Sequence, residues 1–411
     1  MENFKDANKF FFIGIGGIGM SGLARLLQAR GKEVSGSDST HSSTIDELEE
    51  EGFGISIGHD AHHLDEDTDC VIYSEAVPET NRELQKAREL DIPTLTYFEG
   101  LGEVSKDYRV LAVAGSHGKT TTTAMVALIL EAAGKDPTVI VGSKLKEFGN
   151  RNVRVGESDL FVVEACEYRR NFMSLKPDLL GITNIELDHL DYFKDQADYE
   201  NAFNQIAAQS KEVLWPEDTS EYEGELAIPG EHNQRNAGLA AAMARRVGAS
   251  ELAIADALAA YQGAWRRFEF KGTTLYGAKV YDDYAHHPTE IQATLAGARE
   301  KFPEARIVAV FQPHQYSRTA ALFDEFVNSF EDADEVIIPN IYAARDSEAH
   351  KKATSAEELA EAIAEVHENA HHEAGLENTA SYLEDSLEEN DVLIVMGAGD
   401  VNKIIPMILS A

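Results

Sequence analysis

The run from Tyr108 to Met125, YRVLAVAGSHGKTTTTAM, constrains the fold more than any other part of the chain. An apolar strand passes through a glycine turn into a lysine, four threonines and a helical pattern. That order builds a cradle for nucleotide phosphates. Gly115 and Gly118 let backbone N–H groups turn inward, Lys119 supplies a positive charge, and Thr120 offers a hydroxyl to a divalent cation at the positive end of a helix. The strict pattern G-x-x-x-x-G-K-[ST] would place glycine at position 113, where Val113 stands, so this is a shortened variant beginning at Gly115. The plainer reading, a glycine turn that merely starts a helix, leaves the lysine and threonines unexplained.

A second glycine turn lies near the start. After the apolar run Phe10 to Ile13, residues Gly14, Gly16 and Gly19 form G-x-G-x-x-G and open a helix predicted to reach Arg30, with Gly31 closing it. Asp38 follows a short strand, Glu33 to Ser37, where an acid can meet a ribose hydroxyl. By itself this Rossmann-like start fits NAD, or any ligand carrying a diphosphate, a nucleotide sugar included. Cys70 to Val77 reads as a strand and loop, and Arg82 to Leu90 as a helix.

Further strands are predicted at Val110–Val113, Leu160–Val163 and Leu179–Thr183, with a helix from Thr120 to Ala133. Alternation of this kind implies a parallel sheet around the phosphate loop. Helices are predicted at Asn236–Val247 and Glu251–Tyr261, and Gln262 to Phe268 reads as a hinge. A third α/β segment then offers strands at Thr273–Tyr276, Lys279–Asp282, Arg306–Phe311, Glu335–Pro339 and Val392–Met396. Domains are therefore expected at 1–106, 107–262 and 263–411.

Several strand ends carry chemistry. Glu164 ends an apolar strand beside the phosphate loop, a position suited to holding a nucleotide-bound cation. Asn184, Asp188 and His189 follow the next strand; His189 is read either as a structural imidazole or as a ligand to a second metal ion. His232, Asn233 and Asn236 open a helix with groups that suit an adenine edge or ribose, and that equally suit an N-cap. Asp282 to Pro288 packs two acids, Tyr284, His286 and His287 into seven residues after a strand. His314 and Arg318 follow another, and Arg318 can clamp a carboxylate bidentately. The histidines His59, His62, His63, His367, His371 and His372 are assigned to acid-flanked, solvated surface, although His367 and His371 have the spacing of one helical turn.

Charge narrows the partners. Lys and Arg number 36 against 72 Asp and Glu, a formal charge of -36, which argues against nucleic acid or an anionic membrane as a partner. An anionic substrate must then be gripped by a local basic site. Cys70 and Cys166 are too few for a disulfide framework, and Cys166 reads as a buried structural thiol. With no leader and no long apolar run, the chain is expected to be soluble and cytoplasmic.

Taken in order, the blocks FIGIGGIGMSGLA (12–24), GSHGKTTT (115–122), EACEYR (164–169), HNQRN (232–236), DYAHHP (283–288) and FQPH (311–314) resemble the Mur ligase family, most closely its L-alanine-adding branch. The resemblance covers residues 10 to 403. It implies an α/β protein of three domains: a Rossmann-like N-terminal domain for a UDP sugar, a central P-loop ATPase domain with a parallel-rich sheet, and a C-terminal Rossmann-like α/β domain that closes over the site. The implied reaction joins L-alanine to the lactyl carboxylate of UDP-N-acetylmuramate, with ATP and Mg2+, through an acyl phosphate, in peptidoglycan precursor synthesis. A monomer or weak dimer is expected.

Carried over by motif, Gly115, Ser116, His117, Gly118, Lys119, Thr120 and Thr121 cradle ATP, with Lys119 on the β and γ phosphates. Thr120 and Glu164 hold one Mg2+ and His189 the second. His232, Asn233 and Asn236 contact the nucleotide, Arg267 reaches its phosphates, and Asp283, with His287 beside it, contacts the ribose or orients the closed domain. Gly16, Gly17, Ile18, Gly19, Met20, Ser21, Asp38 and Ser74 fall where the family binds the uridine diphosphate. Two departures stand out. Gln315 replaces an arginine found in some members, leaving Arg318 to act alone on the alanine carboxylate or the sugar, and Lys211 to Glu231 is short for the family's central domain.

Three other functions remain open on these residues. An NAD-dependent dehydrogenase accounts for Asp38 and the first glycine turn but not for Gly115 to Thr122. A non-catalytic nucleotide-binding regulator leaves the cluster at Asp282 to His287 without purpose. A recycling ligase of the same family, attaching a ready-made peptide to the same sugar, is the nearest rival, and the block at 164–169 favours the alanine enzyme.

Overall fold

The structure, a computed structural model, describes residues 4–189, 192–344 and 346–409. Its described residues form three α/β domains, each built on its own sheet. The first sheet comprises β1 (Lys9–Ile13), β2 (Glu33–Asp38), β3 (Gly54–Ile57), β4 (Cys70–Tyr73) and β5 (Thr94–Thr96), in the order β3-β2-β1-β4-β5, all parallel. A parallel sheet covered on both faces needs apolar residues at every position of its central strands. β1 supplies them: Phe10 and Phe12 enter one hydrophobic cluster, Phe11 and Ile13 the other. Each such side chain contributes roughly 1.5–3 kcal/mol on burial.

The second sheet comprises β6 (Arg109–Ala114), β7 (Thr138–Leu145), β8 (Arg151–Arg154), β9 (Leu160–Glu164), β10 (Leu179–Ile182) and β11 (Glu212–Leu214), in the order β11-β10-β6-β9-β7-β8. Only its β7–β8 edge pair is antiparallel. This order matters for chemistry, because β6 lies between β10 and β9 and so their C-terminal loops converge. The first two sheets share one hydrophobic cluster, with Phe10 and Phe12 in the same group as Ala112 and Phe161, and belong to one compact unit, 1–222 with 235–259. Within it, helix α1 (Ile18–Ala29) packs on the β7–β8 hairpin, where the Asn152 amide donates to Ile18 O at 2.6 Å. The segment 211–231, singled out above as short, holds the edge strand β11 and one 3-10 turn at Pro216–Asp218.

The second unit, 223–234 with 260–411, holds the third sheet. Its strands are β12 (Glu269–Thr273), β13 (Lys279–Asp283), β14 (Ile307–Phe311), β15 (Glu335–Ile338), β16 (Ala370–His372) and β17 (Val392–Met396), in the order β12-β13-β17-β14-β15-β16. Alternate residues of β14 feed the two faces, Ala309 and Phe311 on one and Val308 and Val310 on the other.

Two sequence expectations are corrected here, and the spacing of His367 and His371 is explained. The strand expected at Thr273–Tyr276 runs from Glu269 to Thr273; Gly277, at φ 96°, makes Thr274–Ala278 a tight turn, which leaves Leu275 77% exposed. His367 and His371 do not share a helix, since His371 lies in β16. His59 and His63 are not simply solvated: both rings meet the fully buried Glu83 carboxylate, at 2.9 and 2.8 Å.

Candidate active site

The turn between β6 and α2 (Lys119–Ala132) is held open by backbone geometry that side chains disfavour. Gly115 has φ 138° and Gly118 has φ 81°. A methyl group at Gly115 would fall 1.9 Å from Thr183 Oγ1, and one at Gly118 would fall 2.3 Å from Asn236 Oδ1. Glycine is therefore required at both places by conformation and by space. The loop after β10 braces this turn: Thr183 donates its hydroxyl to His117 O at 2.6 Å, the Asn184 amide exchanges bonds with the His117 backbone at 3.0 Å, and Ser116 donates to Glu186 O at 2.6 Å. Asn236 thus lies against the turn.

Lys119 is nearly enclosed. Its ammonium donates to Gly115 O at 2.5 Å, Ser116 O at 2.9 Å and Glu167 Oε1 at 3.0 Å. Burial lowers its pKa, but the pull of Glu167, with Cys166 and Glu164 beyond it, leaves it above the ordinary lysine value. Glu167 answers in kind: burial raises it, yet Lys119 and then His189 hold it below the usual carboxylate value. His189 Nε2 stands 3.3 Å from the same Glu167 oxygen, with the Tyr168 ring 4.7 Å away. Its own backbone is left-handed, φ 56°, and its N–H donates to Asp188 Oδ1 at 2.6 Å.

On the other side of the turn Thr120 Oγ1 donates to Glu164 Oε2 at 2.8 Å, and the same oxygen accepts from Gly142 N at 2.8 Å. The hydroxyl and carboxylate at Thr120 and Glu164 suit a hard divalent cation, and the imidazole and carboxylate at His189 and Glu167 offer a mixed nitrogen and oxygen pair to a second. Glu167 Oε2 is buried without a hydrogen-bond partner, an unmet demand that a cation satisfies. Cys166 is half-buried rather than buried, and burial pushes its thiol up to about 12, away from nucleophilic use.

The first-domain loop occupies the same unit. Asp38 Oδ2 accepts from Gly16 N at 2.9 Å, so this oxygen fixes the glycine loop itself. Gly14, at φ 82°, lets the chain pass Ser74 with only 3.1 Å to spare for a methyl. Gly17 and Ile18 are exposed, while Met20 and Ser21 turn into the core. Gly19 abuts Tyr97, whose hydroxyl is raised by burial and then by the charge of Glu164 at the end of β9.

In the second unit, the Asp283 carboxylate is spent on backbone amides, accepting from Phe268 N and Ala285 N, both at 2.7 Å. Burial pushes it up to about 6, against the pull of Arg267. Asp282 pairs with Arg266 at 3.1 Å, and that guanidinium also donates to Gly397 O at 2.5 Å and Gly399 O at 3.1 Å. Arg267 lies 3.8 Å from Glu290 and over the Tyr284 ring. His287 caps the helix α5 (Pro288–Lys301), which follows α3 (Glu231–Arg246) and α4 (Glu251–Ala260) along the chain. Arg318 is half-buried on the short helix Tyr316–Ala321, and Gln315 before it is left-handed at φ 73°. His232 and Asn233 belong to this unit and Asn236 to the first, all on α3. Asn233 donates to Pro229 O at 2.6 Å.

Sequence reasoning gave no role to Glu167 or Arg266. Glu167 stands three residues past Glu164, beyond the end of β9, and a second acid so close behind the first was its visible signal. Arg266, adjacent to Arg267, is only 3% exposed, which sequence does not distinguish.

Residues 9–109 match the model for the Mur ligase family catalytic domain, 113–219 the Mur ligase middle domain, and 266–399 the Mur ligase glutamate ligase domain. The chain is 39% identical to a UDP-N-acetylmuramate–L-alanine ligase of Clostridium acetobutylicum, with 98% of each chain covered. It is 40% identical to that of Acetivibrio thermocellus, covering 98% of this chain and 97% of the other. The first of these alignments runs over 454 positions against 411 residues here, so this chain is aligned with gaps. Among solved structures, the UDP-N-acetylmuramate-alanine ligase of Thermotoga maritima superposes with a TM-score of 0.82 at 29% identity, covering 98% of both chains. A murein peptide ligase from Psychrobacter arcticus shares the fold, with a TM-score of 0.69 at 22% identity and 98% of both chains covered.

Proposed function

The chain belongs to the Mur ligase family, and from that premise we propose that it joins L-alanine to the lactyl carboxylate of UDP-N-acetylmuramate, converting ATP to ADP and phosphate. A carboxylate at neutral pH resists attack by an amine. Its oxygen therefore attacks the γ-phosphorus of ATP, ADP leaves, and the acyl phosphate so formed is electrophilic at carbon. The alanine amine adds to that carbon, and the tetrahedral adduct expels phosphate as the amine proton is lost.

What supports the reading is one constellation: Lys119, Glu167 and His189 held together at the end of a phosphate-binding turn whose Thr120 meets Glu164. In this reading Gly115 to Thr121 orient the triphosphate by backbone N–H groups, and Lys119 meets charge on the transferring phosphoryl group. Thr120 and Glu164 would hold one Mg2+, and His189 with Glu167 a second; Mg2+ supplies charge neutralisation between phosphate and carboxylate when bound. Asn236 lies against the turn and is assigned to the nucleotide, with His232 and Asn233 on the same helix. Gly16 to Ile18 and Ser74 are assigned to the uridine diphosphate; Asp38 acts there through Gly16. For the second unit we assign the alanine carboxylate to Arg318, phosphate contact to Arg267, and to Asp283 and His287 the shaping of the 266–288 segment.

We place the three domains at 1–106, 107–262 and 263–411, and the protein in the cytoplasm, without nucleic-acid partners and as a monomer or weak dimer. No described helix is long and apolar enough to cross a membrane. The test is ADP release from ATP and UDP-N-acetylmuramate, supplied in turn with L-alanine, glycine, L-serine or a tripeptide. L-alanine should support the fastest release; preference for the tripeptide would assign the recycling activity, and dependence on NADH would end the proposal.

A further inference from the structure

The block EACEYR carries a residue that the reading above leaves unused. Arg169 and Arg170 follow Glu167, and both are left-handed, at φ 52° and 58°. Two adjacent arginines in that region are strained, and such strain persists only where surrounding structure enforces it. Arg170 explains its own conformation: it pairs with Asp198 at 2.7 Å and lies over the Phe193 ring. Arg169 has no such reward. It is exposed, and among the described residues the Tyr168 ring, 5.4 Å from its guanidinium carbon, is its one partner. An unpaired guanidinium is conspicuous in a chain of net charge -36.

Its position gives the strain a purpose. On one side the segment is pinned to the Gly115–Thr120 turn, because Glu167 bonds Lys119 and approaches His189, and the Tyr168 ring lies tilted against His189. On the other it is pinned to the sugar-nucleotide loop: Asn171 donates to Glu75 Oε2 at 2.9 Å, next to Ser74, whose N–H bonds Ile13 O beside Gly14. In the ligase reading, a sugar nucleotide seated on the glycine loop would reach the γ-phosphate past this stretch, which joins the two sites.

We propose that Arg169 grips the lactyl carboxylate of the sugar nucleotide and sets the enzyme's preference for an acid-bearing sugar; this rests on the ligase reading. Two anions, carboxylate and γ-phosphate, must approach within bonding distance, and a planar guanidinium both offsets their repulsion and fixes the carboxylate by paired hydrogen bonds.

Calorimetric titration of the full chain with UDP-N-acetylmuramate and with UDP-N-acetylglucosamine, the same nucleotide sugar without the lactyl ether, tests this. Arg169→Ala should weaken the first by about tenfold or more, the scale of one charge-assisted pair, and leave the second within about twofold. Arg169→Gly should weaken the first equally while melting no lower than wild type, since glycine accepts φ 52° without strain. Equal weakening of both ligands, or of neither, overturns the proposal. Failure of the wild-type protein to bind either sugar nucleotide would instead remove the ligase reading on which it stands.

Discussion

Glu167→Gln isolates the charge at the centre of the site. The carboxylate is 1% exposed and lies 3.0 Å from an ammonium that is 14% exposed, so solvent screens the pair weakly. At an effective dielectric constant near 20, that separation corresponds to about 5 kcal/mol of attraction, against which burial of each ion costs several kcal/mol. The net value of the pair is therefore small, but removing one partner strands the other. Breaking a buried pair in this way costs about 3–5 kcal/mol, and glutamine returns roughly 1 kcal/mol by keeping a hydrogen bond to Lys119. A loss of about 2–4 kcal/mol in the first unit is expected. The assay is urea unfolding followed by tryptophan fluorescence in a Trp265→Phe background, because Trp215, packed on the first unit's core, is then the sole reporter. Lys119→Met together with Glu167→Gln should be less damaging than the sum of the two, with a coupling of about 2 kcal/mol, because no ammonium is left unpaired. Strict additivity, or a loss below about 1 kcal/mol from Glu167→Gln alone, would refute the reasoning.

Lys119→Ala should abolish turnover while UDP-sugar binding, measured by calorimetry, stays within about tenfold, since that ligand rests on the first domain. Gly118→Ala should reduce nucleotide affinity and stability together, because its methyl would press on Asn236 Oδ1 at 2.3 Å; Asn236→Ala in the same chain should recover part of the stability in thermal melts. Asp283, raised to about 6 when folded, binds a proton more readily in the folded than in the unfolded chain, so its contribution to stability is full below about pH 4 and falls as pH rises through 6. Asp283→Asn should flatten the wild-type decline in urea midpoint between pH 4 and 7, and an unchanged slope would contradict the assignment.

How much could be read from the chain follows from distance along it. Gly115 to Thr120 were legible because the cradle is contiguous, and its glycines are required by φ and by Thr183 and Asn236. Glu164 and His189 were legible as strand ends. The meeting of Lys119 and His189 through Glu167 was not, because it depends on β10, β6 and β9 being neighbours, an order that hydrogen-bond pairing fixes and local pattern does not. The β7–β8 hairpin escaped notice since Thr138 to Val141 is brief, yet it carries Gly142 to Glu164 and Asn152 to Ile18. Glu83 shows the same blindness in reverse: His59 and His63 sit among acids in sequence, but the acid that matters is some twenty residues on and wholly buried. Just beyond β12 the apolar residues Leu275 and Tyr276 suggested a strand where Gly277 imposes a turn.

The central claim is that ATP activates a carboxylate by phosphoryl transfer, and oxygen bookkeeping tests it most directly. With UDP-N-acetylmuramate carrying oxygen-18 in both lactyl carboxylate positions, turnover with ATP and L-alanine should deliver one labelled oxygen into each phosphate released, read by mass spectrometry. Phosphate free of label, with both heavy atoms still in the sugar nucleotide product or lost to water, would contradict the account.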